Sequence, residues 1–328
     1  MSNIHEKARI IRVAAVQIES KHGLVEVNHA HATPFVEQAA QAGAQVVVLP
    51  ELFASGYVPN KALWDAAEPQ GGPTVNWLRK TSKRLGIYLG AGLVETDGRD
   101  FFNIFVLSAP DGEVAGRVRK ANAESYCFRR GLGSHIIHTA IGKIGVGICA
   151  DNHFTALPKL MQEEAIDLML MPHAWPTPCK TGKGVSEEDI RKLQSKPKQV
   201  ALLYTKLLGV PAILVNQVGT MDRMSGLLGK FMDPDVFRLE GRSHIIDSDG
   251  TIKGELESKE GMIVADVTLD PSRKCRVEPE NYGGWLHPGS TLVRKMIIPL
   301  DKGLGELAYT LSPLRRRKAQ EIASRGAI

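Results

Sequence analysis

Apolar residues along this chain fall into short, nearly continuous runs separated by alanine-rich or charged stretches. That pattern marks strands buried on both faces, alternating with helices. The run RIIRVAAVQI (9–18) is dense in β-branched residues and predicts a strand. VNHAHATPFVEQAAQAG (27–43) predicts a helix that closes on Gly43. AQVVVLPE (44–51) is a second buried strand, stopped by Pro50; a helix at 73–85 follows, with Gly86 behind it, and then the strand IYLGAGLVE (87–95). FNIFVLSA and VAGRVRK flank the turn PDGE and predict a hairpin. HIIHTAIGKIGVGIC reads as another pair, turning at Gly142-Lys143. A helix at 155–165, the strand DLMLMP (167–172), a helix near 187–208 and the strand PAILVNQ (211–217) complete the alternating part. In the last third, RSHIID and GMIVADVTL are short strands on either side of the turn SDG. Mixing βαβ units with hairpins predicts mixed sheets covered by helices. Residues 173–200 are charged and rich in Pro and Gly, which predicts a surface loop or a lid.

Composition changes this picture little. The 328 residues are 43% hydrophobic and 23% charged, enough to bury a sizeable core. Net charge is +5, from 41 Lys and Arg against 36 Asp and Glu, so the signs are well mixed. The only dense basic run, RRRK at 315–318, reads as a solvated terminal helix and not as a nucleic-acid contact. Four cysteines lie far apart with no CxxC, which suggests neither a disulfide framework nor a zinc site. Arg12 interrupts the first apolar run, so no signal-peptide core is expected, and no apolar stretch approaches the about 20 residues of a membrane span. A cytoplasmic protein with reduced thiols and a small-molecule substrate is the expectation.

Candidate chemistry sits at strand ends, where α/β sheets bind their ligands. Glu51 follows QVVVLP, Lys120 follows EVAGRVR and Cys149 follows KIGVGI. A buried thiol inside a strand would pack as a small hydrophobe; one where the strand breaks into Asp151, Asn152 and His153 can face a cleft. A carboxylate, an ammonium and a thiol form a coherent set. The carboxylate takes the thiol proton, and the ammonium steadies charge on a carbonyl oxygen, with a backbone N–H after the cysteine as second donor. Acyl transfer through a thioester, with water as final acceptor, is the chemistry this predicts. No GxSxG, GxxxxGK[ST] or GxGxxG occurs. His135 and His138 would point to opposite faces of a strand, and His29 and His31 do not share a helix face, so no metal site is expected.

VVVLPELFASGY around Glu51, GRVRK ending at Lys120 and GVGICAD around Cys149 resemble the three signature segments of the carbon–nitrogen hydrolase family, the nitrilase superfamily. VAAVQ, NQVG (216–219) and GRSHIIDSDGTI (241–252) support the resemblance. It implies an α/β fold, a four-layer αββα sandwich of two mixed β-sheets, pairing into homodimers or higher homo-oligomers, and no cofactor. A hydrolase domain over 1–280 and a C-terminal extension over 281–328 that contributes to oligomer contacts are expected. The resemblance further implies Glu51 as general base, Lys120 as oxyanion stabiliser and Cys149 as nucleophile. Glu124, in KANAESYCF, is the candidate for a second glutamate. Ala150 stands where true nitrilases carry Trp-Glu, which favours amides or N-carbamoyl compounds over nitriles. A nitrilase or acyltransferase with the same triad, and a non-catalytic binding module, are the alternatives. Tyr57, His153, His173 and Trp175 lie just beyond the strands that bear or neighbour the triad and are the candidates for the substrate pocket.

Overall fold

The computed structural model describes residues 7–182 and 184–325; the outer ends of the expected 1–280 and 281–328 units lie outside these residues. One large sheet is built from β1 (Arg9–Gln17), β2 (Val46–Val48), β3 (Glu68–Pro69), β4 (Tyr88–Thr96), β5 (Phe101–Ser108) and β6 (Val114–Arg119), closed at one edge by the distant β16 (Gly261–Leu269). β16 pairs antiparallel with the whole of β1, from Arg9↔Leu269 to Gln17↔Gly261. β1, β2 and β4 are parallel, and β5 and β6 continue the sheet as antiparallel neighbours. The second large sheet has β7 (Ile136–Thr139), β8 (Gly142–Val146), β9 (Leu168–His173), β11 (Ala212–Asn216), β14 (His244–Ile246) and β15 (Ile252–Glu255) side by side. β10 (Pro176–Pro178), β12 (Val218–Gly219) and β13 (Phe237–Glu240) form a small third sheet.

Side-chain alternation assembles the layers. On β1, Ile11, Val13 and Ala15 enter the core between the two large sheets, where they join Val146, Leu170, Ile213 and Ile245. Ala14 and Val16 point the other way, to Ala32 and Val36 of α1 (Val25–Gln41) and Val75 and Leu78 of α2 (Pro73–Leu85). On the second sheet Met169, Met171 and Leu214 meet Leu157 and Met161 of α3 (Ala156–Glu164) and Val200 and Tyr204 of α5 (Lys196–Leu208). Helix, sheet, sheet and helix therefore stack as an αββα sandwich, the expected fold.

Four local expectations are corrected. The β7–β8 turn falls at Ala140-Ile141, because Gly142 already pairs with Thr139 and stands against Asp167, whose side chain would meet a Cβ at 2.4 Å. The region 173–200 is mostly regular: β10 is followed by α4 (Glu187–Gln194), opened by a Ser186–Asp189 capping box, and then by α5. The single helix expected near 187–208 is split at Ser195, since Pro197 lacks an N–H and its ring opposes a continuous turn. In the basic run, Arg315 is not solvated; it is buried against Asp100 beneath α7 (Pro313–Arg325), while Arg316 and Arg317 are exposed. No helix among the described residues is long and apolar enough to cross a membrane.

One buried carboxylate couples the fold to pH. Glu68 on β3 accepts the Thr74 backbone N–H at 2.7 Å and the Thr74 hydroxyl, which in turn accepts from His29 Nε2 at 2.9 Å. Burial raises its pKa from 4.5 to about 7, against the lowering effect of the Thr74 bonds. Between those values the native state binds more protons than the unfolded chain, so this contribution to stability is lost as pH rises through about 7. Glu68→Gln is therefore expected to flatten the decline in stability between pH 5 and 8, by on the order of 3 kcal/mol. Urea denaturation of both proteins at the two pH values checks this; parallel pH profiles would refute it.

Candidate active site

The loops after β2, β6, β8 and β9 meet at one end of the sandwich. Glu51 lies beyond β2 and Pro50 and is fully buried. Its Oε1 accepts from Lys120 Nζ at 2.6 Å and Asn103 Nδ2 at 2.8 Å, and its Oε2 accepts from the Ala174 N–H at 2.8 Å. The Glu51 main chain is equally fixed: its carbonyl accepts from Gln217 Nε2 at 2.6 Å. Gly92 of β4 makes room for it, since a Cβ there would meet the Leu52 N at 2.4 Å and the Glu51 Cα at 2.6 Å.

Lys120, next after β6, is also fully buried and donates to Glu124 Oε1 at 2.9 Å as well as to Glu51. Tyr57 donates its hydroxyl to the same Glu124 oxygen at 3.2 Å. Burial works against the ammonium, but Glu124, Glu51 and the hydrogen bond to Glu51 outweigh it and hold the Lys120 pKa well above its ordinary value. Glu124 Oε2 is buried and has no hydrogen-bond partner among the described residues.

Cys149 follows β8 at the start of a 3₁₀ turn (Cys149–His153) and adopts φ 45°, a left-handed conformation that side chains with a Cβ rarely take. It lines a cavity of about 300 Å³ together with Tyr57, Glu124, His153 and Trp175. Burial and the Glu51 carboxylate push its thiol pKa well up, with Lys120 pulling the other way. The 3₁₀ turn is tied to the segment after Lys120. Asp151, buried, accepts from the Asn122 N–H at 2.7 Å, the Asn122 side chain at 3.0 Å and the Ala121 N–H at 3.3 Å.

Of the sequence candidates, Glu51, Lys120, Glu124, Cys149 and Tyr57 thus converge, and His153 and Trp175 line the cavity beside them, ring centres 4.6 Å apart. His153 is neutral, its pKa lowered to about 3 by burial and then by His173 and His287. His173 is corrected as a pocket residue: it does not face the cavity. Its Nδ1–H donates to the Met171 carbonyl at 2.8 Å, which turns the fully buried ring back into the sheet, stacked behind Trp175. Sequence reasoning missed Asn103, Asp151 and Gln217. Asn103 left a signal, a lone amide within the apolar run FNIFVLS. Tyr126, Trp285 and Ile298, which also line the cavity, left none. No cluster able to hold a metal ion is found among the described residues.

A family model described as carbon-nitrogen hydrolase matches residues 12–277. A nitrilase of Pyrococcus abyssi is 30% identical over 171 residues, 50% of this chain and 64% of the relative. An omega-amidase of Danio rerio is 31% identical over 179 residues, 50% of this chain and 63% of the relative. An N-carbamoylputrescine amidase of Solanum lycopersicum is 29% identical over 181 residues, 52% and 60% of the two chains. Each match spans less than two thirds of the relative. Among solved structures, a carbon-nitrogen hydrolase from Helicobacter pylori superposes with TM-score 0.67 at 20% identity, covering 81% of this chain and 91% of that one. An amidase from Nesterenkonia sp. gives 0.63 at 20% identity, covering 80% and 91%. At that identity these two share the fold.

Removing the ammonium should expose how the cluster is balanced. Lys120→Met leaves the buried Glu51 and the half-buried Glu124 carboxylates without their counterion and is expected to cost about 3–5 kcal/mol of stability. Adding Glu124→Gln to that variant should recover a good part of the loss. Urea denaturation of the wild type, both single variants and the double variant checks both statements, and additive losses would show that the charges do not depend on one another.

Proposed function

The chain belongs to the carbon–nitrogen hydrolase family, and from that premise we propose that it is a cysteine-dependent amidohydrolase cleaving a small carboxamide or N-carbamoyl compound. The observation that carries this reading is the Lys120 ammonium held between Glu51 and Glu124, at 2.6 and 2.9 Å, beside a cavity-facing Cys149. Glu51 takes the thiol proton as sulfur attacks the carbonyl carbon. The resulting oxyanion is held by Lys120 Nζ–H and the N–H of Ala150. As the C–N bond breaks, Glu51 returns its proton to the leaving nitrogen, and ammonia or an amine departs from a thioester. Water then attacks that thioester while Glu51 takes its proton; the C–S bond breaks, the carboxylic acid departs, and Glu51 passes the proton to the sulfur to restore the thiol.

Two details support amide over nitrile. The unpartnered Glu124 Oε2 offers an acceptor for an amide N–H, which a nitrile lacks. Ala150 also places no bulky or acidic side chain immediately after the cysteine. Burial and the Glu51 carboxylate raise the Cys149 thiol pKa, which fits a mechanism in which Glu51 takes the thiol proton as sulfur attacks. The amidase and nitrilase names of the relatives agree with hydrolysis at carbon–nitrogen bonds.

Ammonia release measured over primary amides, N-carbamoyl amino acids and nitriles tests the proposal. Amides or carbamoyl compounds should release ammonia and nitriles none. Cys149→Ala should abolish release in a folded protein, and Glu51→Gln should slow it by about 10²–10⁴-fold. Turnover by the cysteine variant at the wild-type rate would overturn the mechanism. Transfer to an added amine in preference to water would reassign the protein as an acyltransferase.

A further inference from the structure

The cavity beside Cys149 is completed by residues outside the range 12–277 that the family model matches. Trp285, Ile298, Asp301 and Lys302 all line it. Trp285 is placed by backbone pairing with the segment after the sulfur. The Leu286 N–H donates to the His153 carbonyl at 2.9 Å and the Thr155 N–H to the Gly284 carbonyl at 3.0 Å. Its ring packs on Phe154, centres 4.4 Å apart. Ile298, Asp301 and Lys302 come from α6 (Ile298–Leu311), which is anchored where the Tyr309 hydroxyl accepts the Phe101 N–H at 2.8 Å.

The character of this wall is apolar and aromatic. Trp285 and Ile298 join Phe154, Trp175, Met224 and Leu228 around the cavity. Its charges give an anion no net attraction. Lys120 is already shared by two carboxylates, the lining charges Lys302 and Asp301 are of opposite sign, and Glu124 adds a further carboxylate with an unpartnered oxygen. A carboxylate-bearing acyl chain would lose its hydration here and find carboxylates facing it. An uncharged ring or branched chain would instead gain from leaving water against these side chains.

We infer, on the amidohydrolase reading above, that the segment from Trp285 to Lys302 is the acyl-selecting wall of the site, and that it selects uncharged amides with an aromatic or bulky apolar acyl group. Binding to the Cys149→Ala protein isolates this from chemistry. Calorimetric titration with phenylacetamide and with succinamate should give at least ten-fold tighter binding of the former. Adding Trp285→Ala, or separately Ile298→Asp, should weaken phenylacetamide about ten-fold. The inference is overturned if succinamate binds as well or better, if phenylacetamide does not bind, or if both wall variants bind it undiminished. Ammonia assays on the wild type separate the two readings. Binding as expected without release from any amide would sink the hydrolase reading and leave the wall. Release from amides of all acyl types at similar kcat/KM would sink the wall alone.

Discussion

A single ammonium group, taken wholly out of water, is the constraint around which this end of the molecule is organised. Burying Lys120 carries a desolvation penalty that is met only if the opposing charges sit at bonding distance and their remaining lone pairs are satisfied. Glu51 meets both conditions, with Asn103 and the Ala174 N–H occupying its other positions. Glu124 meets the first and leaves one oxygen over. The groups come from both sheets: Glu51, Asn103 and Lys120 from the first, Cys149 and Ala174 from the second. The ions themselves all follow strands of the first sheet, and packing of the second against it across the apolar layer brings Cys149 and the Ala174 N–H to them.

Behind the charged cluster a neutral network holds the same sheets together. Gln17 at the end of β1 accepts from the Ser243 hydroxyl at 2.7 Å, and that hydroxyl accepts the Asn216 N–H at 3.0 Å. Asn216 in turn receives the Trp175 N–H at 2.8 Å, while its neighbour Gln217 fixes the Glu51 carbonyl. Gly241, at φ 63°, lets the chain pass where a Cβ would meet the Gln17 amide at 2.4 Å. Buried amides of this kind gain most when every partner is present, and so they specify one register between the sheets.

How much of this could be read beforehand follows from the physics of each part. Strands buried on both faces leave continuous apolar runs, so nearly all of both large sheets was legible. Glu51, Lys120 and Cys149 were visible because each breaks such a run with a reactive group. The segments VAAVQ, NQVG and GRSH were noticed as resemblances, yet their shared role became apparent only when Gln17, Asn216 and Ser243 met in space. The small third sheet was missed because β10 and β12 have three and two residues and show no period. Arg315 was misread because one buried guanidinium in RRRK looks like its exposed neighbours until Asp100 is opposite it. His173 was misassigned because strand-end position does not say which way a ring turns, and here the Met171 carbonyl decides.

The two main-chain hydrogen bonds that fasten the strip Gly284–Leu286 to the residues after Cys149 use none of the strip's own side chains. Such a fastening is indifferent to which side chains the strip carries. The side chain at Trp285 can thus change while those two bonds stand. On this architecture one side of the chamber and the ionic cluster around Lys120 are built from separate stretches of chain.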